Sequence, residues 1–164
     1  MDQHQYHFFY SERPPERSPL TNFYRTRYTI YDHSFSYSEQ GFMYGKAILF
    51  GDHEIAEQIL QTKTPREAKD LGRRVRGFDN KVWEANRERI MFENCLAKFG
   101  TNKKLGKYLL KTGNKRLVEA SPRDRIWGIG YSMKKAPHTS PELWGLNLLG
   151  KVLERVRTEL RSRE

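Results

Sequence analysis

The spacing of apolar side chains changes near residue 38, from short aromatic and β-branched runs to helical periodicity. Residues 6–10, 28–31 and 35–37 are rich in aromatic residues, which is typical of short strands. Residues 32–34 separate the second run from the third, so we expect these two strands to form a small sheet around a turn. A stiff, proline-rich loop is predicted at residues 13–19.

From Ser38 onward, capping residues and apolar periodicity predict helices. Ser38 can cap a helix that runs to about residue 49, and Asp52 can cap the next, to about residue 60. Residues 64–67, Thr-Pro-Arg-Glu, form a capping box with proline at the first helical position and open a third helix. A longer helix is predicted from Asn80 to about residue 98, where Gly100 would stop it.

Two further helices are predicted in the C-terminal third of the chain. Residues 105–111 form the first, which ends at Gly113. The last helix is the clearest, because one apolar face continues through Leu149, Val152, Leu153, Val156 and Leu160. Residues 125–141 are predicted to be a long loop, a length that tends to be functional in compact domains. The sequence therefore predicts a mainly helical α+β fold with a small sheet, in one domain over residues 1–164 with residues 1–12 as an N-terminal strand or extension.

The charge of the chain is strongly positive, since 30 Lys and Arg face 20 Asp and Glu and give a net charge of +10. A basic surface attracts polyanions, of which nucleic acid is the commonest. Solvated helix faces would account for the same charges, so the composition alone leaves both interpretations open.

Several classes of site are disfavoured by composition. The single cysteine, Cys95, excludes an internal disulfide and a multi-cysteine zinc site, and the five histidines have no metal-ligand spacing. No apolar run approaches the roughly 20 residues of a membrane helix, and the first ten residues lack a signal-peptide pattern. We therefore expect an intracellular protein, in cytoplasm or nucleus, with neither a metal nor a membrane partner. The oligomeric state is not predicted.

Glu39 and Lys46 lie seven residues apart on the helix that follows Ser38, which places them on one face with their Cα atoms about 10 Å apart. A carboxylate and an amine at that separation suit proton transfer and nucleophilic attack at a ribose anomeric carbon. An ordinary solvated helix face has the same spacing, so the pattern alone leaves both interpretations open. Gly41 and Gly45 each cost about 1 kcal/mol in a helix, which indicates that something approaches this helix closely.

Three other motifs could contact a nucleotide. Trp127 could stack on a base and the amide of Gly128 could approach a phosphate, although a core tryptophan beside a turn fits equally. Arg73 could clamp a phosphate or complement the dipole at a helix C-terminus. The seven-residue spacing of Trp83 and Ile90 indicates core packing at the edge of a pocket.

Read in order, these pieces resemble the NADAR (NAD and ADP-ribose) family of glycosidases from about residue 13 to the C-terminus. The matching motifs are Pro19-Leu20-Thr21-Asn22-Phe23-Tyr24, Ser38-Glu39 with Lys46-Ala47, Pro65-Arg66-Glu67-Ala68-Lys69 with Gly72-Arg73, Trp83, Ala97-Lys98-Phe99, Leu110-Lys111-Thr112-Gly113, Asp124 with Trp127-Gly128, and Asn147 with Gly150. Each piece is weak by itself, and eight in register carry the resemblance.

The resemblance implies a compact α+β fold with a cleft for a ribosyl ligand, and an N-glycosidase that needs no cofactor. Glu39 and Lys46 correspond to the family's catalytic pair. Glu39 would shuttle protons, and Lys46 would attack the anomeric carbon and form a Schiff base. The expected ligand-binding residues are Asn22 and Tyr24 at the ribose hydroxyls, Arg73 at the diphosphate, Trp127 on a base, and Trp83, Asp124, Gly128 and Asn147 around them.

Two branches of the family differ in substrate. One cleaves phosphorylated aminopyrimidine intermediates of riboflavin biosynthesis, and the other removes ADP-ribose from guanine in nucleic acid. The long segment after Trp127, and the tripeptide Phe42-Met43-Tyr44, are similar to the second branch. We therefore expect ADP-ribosylated DNA or RNA as substrate and ADP-ribose as product. The riboflavin substrate and a non-catalytic ADP-ribose-binding module are the alternatives.

Overall fold

The computed structural model describes residues 5–10 and 18–164, which fall into two compact units. We call Asn22–Asn102 the helical unit, and Met1–Thr21 with Lys103–Glu164 the terminal unit. Residues 13–17 of the predicted proline-rich loop lie outside the described part. The strands are β1 (Tyr6–Phe9), β2 (Tyr28–Ile30), β3 (His33–Phe35) and β4 (Arg116–Glu119); the helices are α1 (Ser38–Leu49), α2 (His53–Leu60), α3 (Pro65–Gly72), α4 (Asn80–Thr101), α5 (Lys103–Lys111) and α6 (Leu148–Ser162).

The helical unit opens with the antiparallel hairpin of β2 and β3, in which Tyr28 pairs with Phe35 and Ile30 with His33. The turn occupies only Tyr31 and Asp32, with φ values of 55° and 62°. Two positive φ angles give a turn whose twist matches that of the strands it joins. For this reason the second strand begins at His33, two residues earlier than the sequence predicted.

The caps of the first three helices follow the sequence with one exception. The Asp52 side chain accepts a hydrogen bond from the Ile55 N–H at 3.1 Å, and the Thr64 hydroxyl accepts one from the Glu67 N–H at 3.2 Å. Ser38 does not cap α1: the N-cap is Tyr37, and the structure shows no side-chain cap there. The prediction for Ser38 was wrong because its hydroxyl donates to the Asn22 side chain instead, at 2.8 Å.

Helix α4 is longer than predicted. Asp79 caps it by accepting from the N–H groups of Lys81 and Val82, and the helix continues through Gly100 to Thr101. The predicted stop at Gly100 was wrong, because the burial of Phe99 stabilises the last turn by more than one glycine destabilises it. The helix ends where Asn102 adopts extended backbone angles.

The terminal unit contains a strand that the sequence did not reveal. β1 pairs in parallel with β4, from Tyr6 against Arg116 to Phe9 against Glu119. Only Leu117 and Val118 of β4 are apolar and buried, so the run was too short to stand out. Helix α6 packs against β4 and α5 through its buried apolar face, as its periodicity predicted.

The predicted loop over residues 125–141 is irregular, with single 3-10 turns at Ala136–His138 and Pro141–Leu143. It is nevertheless well anchored, because Ile129 and Ala136 are fully buried in one cluster with Val118 and Ala120 of the terminal unit. The loop therefore contributes side chains to the core of the terminal unit.

The predicted α+β class is confirmed, since the described chain contains six α-helices and two separate two-stranded sheets. None of the helices in the described ranges combines the length and the apolar character that crossing a membrane requires.

We expect Gly41→Ala to destabilise the protein by about 3 kcal/mol, through overpacking and loss of a buried hydrogen bond. A Cβ atom at Gly41 would lie 2.1 Å from Asn94 Oδ1 and 2.2 Å from the Tyr28 hydroxyl. Those two atoms hydrogen-bond each other at 2.7 Å. Urea unfolding of the variant measures the loss.

The matched control is Gly100→Ala, the same change at an exposed position of α4. It should leave stability unchanged or raise it by up to about 1 kcal/mol. Equal stabilities of Gly41→Ala and wild type would contradict the close packing of α1 on α4.

Candidate active site

The first turn of α1 is tied to Asn22 at two points. The Glu39 N–H donates to the Asn22 carbonyl at 3.1 Å, and the Ser38 hydroxyl donates to Asn22 Oδ1 at 2.8 Å. The Asn22 side-chain amide in turn lies 3.6 Å from the Met91 sulfur. Glu39 is buried here, with 9% of its surface exposed. Two predicted site residues, Asn22 and Glu39, are thus brought together.

Lys46 lies two helical turns further along α1. Its amine donates a hydrogen bond to the Gly72 carbonyl at 2.9 Å and lies 5.0 Å from the ring centroid of Phe78 and 5.3 Å from that of Trp83. Burial lowers the pKa of Lys46 below its ordinary value, while the charge of Glu39 acts to raise it. Lys46 is therefore a half-buried amine that feels the field of the predicted partner carboxylate.

Arg73 stands beside this amine at the C-cap of α3. Its positive charge also lowers the pKa of Lys46, and its own guanidinium is exposed, 3.7 Å from the Asp70 carboxylate. Both interpretations of Arg73 fit this position, since it caps a helix and presents a cation near Lys46. Its contact with a diphosphate stays a prediction.

A cluster of aromatic rings lines the side of Lys46. Trp83 packs against Phe42 at 5.3 Å and Phe50 at 6.5 Å between ring centroids, and Phe50 packs against Phe78 at 5.3 Å. Trp83 is buried as the heptad spacing predicted, whereas Phe78 is 47% exposed. Sequence reasoning missed Phe78, because its position between Gly77 and the α4 cap Asp79 does not show that its ring lies beside Lys46.

A second lysine, also missed as a site residue, lies at the other end of α1. Lys98 of α4 is 1% exposed, and its amine donates to the Ser38 hydroxyl at 3.3 Å. It lies 5.9 Å from the ring centroid of Tyr24, another predicted ligand residue. Burial lowers the pKa of Lys98 to about 8, with Cys95 acting in the opposite direction. Lys98 was part of the matching motif Ala97-Lys98-Phe99, but nothing in the sequence shows that its side chain is buried beside Ser38.

The close approach indicated by Gly41 and Gly45 is made by α4. A Cβ atom at Gly45 would lie 2.6 Å from the Ile90 side chain, and one at Gly41 would collide with Asn94. These glycines allow two helices to touch.

The four remaining predicted residues belong to the terminal unit. Asp124 Oδ1 accepts from the N–H groups of Ile126 and Trp127, each at 2.9 Å, and so orients the half-buried Trp127. Gly128 is needed sterically, because a Cβ atom there would lie 2.8 Å from the Glu119 carbonyl.

Asn147 binds β4 with both ends of its amide. Oδ1 accepts from the Glu119 N–H at 3.0 Å, and Nδ2 donates to the Leu117 carbonyl at 2.9 Å. The structure therefore gives Asp124, Gly128 and Asn147 positioning roles, and their contact with a ligand stays a prediction.

A groove on the helical unit and the potential metal ligands of the described residues add no residue to the candidate site. A shallow groove on α2 and α3 contains none of the predicted residues; it is lined by Gln58, Gln61, Thr62, Glu67, Asp70, Leu71 and Arg74. Within residues 5–10 and 18–164, no three His, Cys, Asp or Glu side chains group closely enough to hold a metal ion.

Comparison with known proteins places the chain among glycosidases. The NADAR domain model matches residues 8–161. An N-glycosidase of Acanthamoeba polyphaga mimivirus is 45% identical over 123 residues, which cover 74% of this chain and 72% of that protein. Protein irg-1 of Caenorhabditis elegans is 43% identical over 133 residues, 79% of this chain and 63% of that protein. The NMR structure of the E. coli protein YbiA superposes with a TM-score of 0.77 at 27% identity, over 99% of this chain and 89% of that one.

Lys98 should make stability depend on pH. Its pKa falls from the ordinary 10.5 of a lysine to about 8 in the folded protein, so between these values the unfolded chain binds more protons. Stability therefore rises with pH in that window. Between pH 7 and pH 10 we expect the free energy of unfolding of wild type to rise by about 2–3 kcal/mol more than that of Lys98→Met.

Urea unfolding of both proteins at the two pH values measures this gain. Lys81→Met, at an exposed position of the same helix, is the control and should follow wild type. A pH dependence shared by Lys98→Met and wild type would show that Lys98 titrates normally.

Proposed function

The chain belongs to the NADAR domain family and is an enzyme of the N-glycosidase class, and on that premise we propose that it removes ADP-ribose from ADP-ribosylated guanine in nucleic acid. The observation that carries the proposal is the pairing of a buried carboxylate, Glu39, with a half-buried amine, Lys46, on one face of α1. A bond between ribose and a base is the kind of bond that this pair can break.

Breaking the ribosyl C–N bond develops positive charge on the anomeric carbon. A carboxylate aimed at that carbon stabilises the charge, and it does so more strongly when it is shielded from water. Glu39 meets this condition, because it is buried and its backbone is held by the Asn22 carbonyl.

Lys46 supplies the nucleophile. Its neutral amine attacks the anomeric carbon as the bond to guanine breaks, and the amine proton passes through Glu39 to the departing base. The ribose ring then opens to an imine on Lys46. Water adds to the imine carbon, and the collapse of that adduct releases ADP-ribose and restores the amine. Because burial lowers the pKa of Lys46, a larger fraction of this amine is unprotonated near neutral pH than in an exposed lysine.

Two features of the helical unit favour a nucleic acid substrate. Phe78 presents a half-exposed ring beside the Lys46 amine, and such rings stack on bases of any sequence. The exposed cations Arg73, Arg74 and Lys81 flank Phe78 in the sequence. The net charge of the whole chain is +10. Phosphodiester backbones bind to such surfaces.

The same pair of residues could cleave the base–ribose bond of phosphorylated aminopyrimidine intermediates of riboflavin biosynthesis, which is the alternative substrate. The other alternative is a module that binds ADP-ribose without turnover, for which neither Glu39 nor Lys46 would be needed.

The substrate is tested by incubating the protein with DNA that carries ADP-ribosylated guanine and, separately, with the aminopyrimidine ribose phosphate. We expect release of ADP-ribose from the first at a rate at least tenfold above release of sugar phosphate from the second. Glu39→Gln should lower kcat by about 10²–10⁴, as loss of a proton-transfer group does. The opposite substrate ranking would reverse the proposal, and full activity of Glu39→Gln would remove Glu39 from the mechanism.

The imine is tested with borohydride, which should trap a ribosyl adduct during turnover on Lys46, as located by peptide mass spectrometry. Lys46→Arg should be inactive, because a guanidinium keeps the charge and is not a nucleophile at neutral pH. Lys69→Arg, a change of the same kind at an α3 lysine, is the control and should retain activity. An active Lys46→Arg variant, or an adduct on another lysine, would overturn the imine and leave the glycosidase class standing.

A further inference from the structure

Lys98 is a charged group in the core of the helical unit that the chemistry above does not use. With 1% of its surface exposed it is among the largest fully buried side chains of the described residues. Taking an ammonium out of water costs several kcal/mol even after relaxation. A methionine of similar length would fill the space without that penalty, so packing alone does not account for a lysine here.

The surroundings of Lys98 lead directly to the predicted catalytic carboxylate. The Lys98 amine donates to the Ser38 hydroxyl at 3.3 Å, and that hydroxyl donates to Asn22 Oδ1 at 2.8 Å. The Asn22 carbonyl accepts from the Glu39 N–H at 3.1 Å. Three hydrogen bonds, which pass through Ser38 and Asn22, thus connect a buried cation to the backbone of Glu39.

The side chains beside this chain of hydrogen bonds restrict its movement. The Lys98 amine lies 4.9 Å from the ring centroid of Phe99 and 5.9 Å from that of Tyr24. Ser38 itself is fully buried. Its hydroxyl proton is committed to Asn22 because the ammonium can only donate, so the ammonium sets the direction of the Ser38–Asn22 bond.

We propose that Lys98 is a positioning residue of the glycosidase, whose ammonium orients Ser38 and Asn22 and thereby fixes Glu39 against the anomeric carbon. The proposal rests on the role of Glu39 proposed above and is independent of which ribosyl substrate is cleaved. Lys98 acts through other residues, so its loss should impair the chemical step more than substrate binding.

The test is a double-mutant cycle of Lys98→Met and Ser38→Ala, assayed on whichever N-ribosyl substrate the wild-type protein cleaves. Each single variant should lower kcat at least tenfold while KM changes less than twofold. The double variant should be no slower than the slower single variant, because both changes break the same link. The melting temperature of Lys98→Met should equal or exceed that of wild type at pH 7.

Lys107→Met, the same change at an exposed position of α5, is the control and should retain full kcat. Ser38→Ala keeps the proposal testable if Lys98→Met does not fold, since it removes one oxygen atom and leaves the buried amine in place. In that variant the amide NMR signal of Glu39 should shift, while the kcat loss persists.

The proposal is overturned if kcat of either single variant stays within twofold of wild type, or if the two losses multiply in the double variant. It is also overturned if Glu39→Gln is fully active while Lys98→Met is not, since the effect would then not pass through Glu39. Failure to cleave ADP-ribosylated guanine alone would reject only the proposed substrate, because the cycle would be run on the riboflavin-type substrate.

Discussion

Helix α1 touches α4 so closely that a side chain at two of its positions would collide with a neighbouring residue. At Gly41 the space of a Cβ atom is taken by the Asn94 side chain and the Tyr28 hydroxyl, and at Gly45 it is taken by Ile90. Ile90, Asn94 and Lys98 follow one another at intervals of one helical turn, so the α4 face that meets α1 continues to Lys98. In the other direction the same face reaches Trp83.

This contact determines what stands at each end of α1. Near the start of α1, α4 supplies Lys98 to Ser38, next to Glu39. Towards the end of α1, α4 supplies Trp83, which contacts Lys46 and Phe42. The carboxylate and the amine of the candidate site thus owe their different surroundings to one helix pair. A shift of α4 along α1 would disturb both at once.

Periodicity and capping predicted most of the helical unit because each signal is local. The Asp52 and Thr64 caps, the burial of Trp83 and the shared face of Glu39 and Lys46 all depend on residues close in sequence. The misses depend on distant partners. Ser38 was assigned as a cap because its hydroxyl partner, Asn22, lies 16 residues away, and β4 became visible only through its pairing with β1, more than 100 residues earlier.

The candidate site residues also differ in whether a local sequence signal or only a distant contact reveals them. The carboxylate and amine could be named from a helical spacing and a family resemblance, whereas Lys98 could not, because nothing in the sequence shows that a lysine is buried. Phe78 was missed for the opposite reason, since its exposed ring becomes notable only beside the Lys46 amine.

The two lysines also show why burial alone does not identify a nucleophile. Lys98 has the lower solvent exposure and a pKa of about 8, which by itself would favour it as the reactive amine. Attack on an anomeric carbon requires that the carbon come within about 3.5 Å of the nitrogen. The Lys98 amine lies against Ser38, Tyr24 and Phe99, and Lys98 as a whole is only 1% exposed, so no sugar reaches this amine without a rearrangement of the core. Lys46 is only half-buried, and one of its aromatic neighbours, Phe78, is open to solvent. Access therefore favours Lys46 over Lys98 as the reactive amine, which agrees with the positioning role that we propose for Lys98.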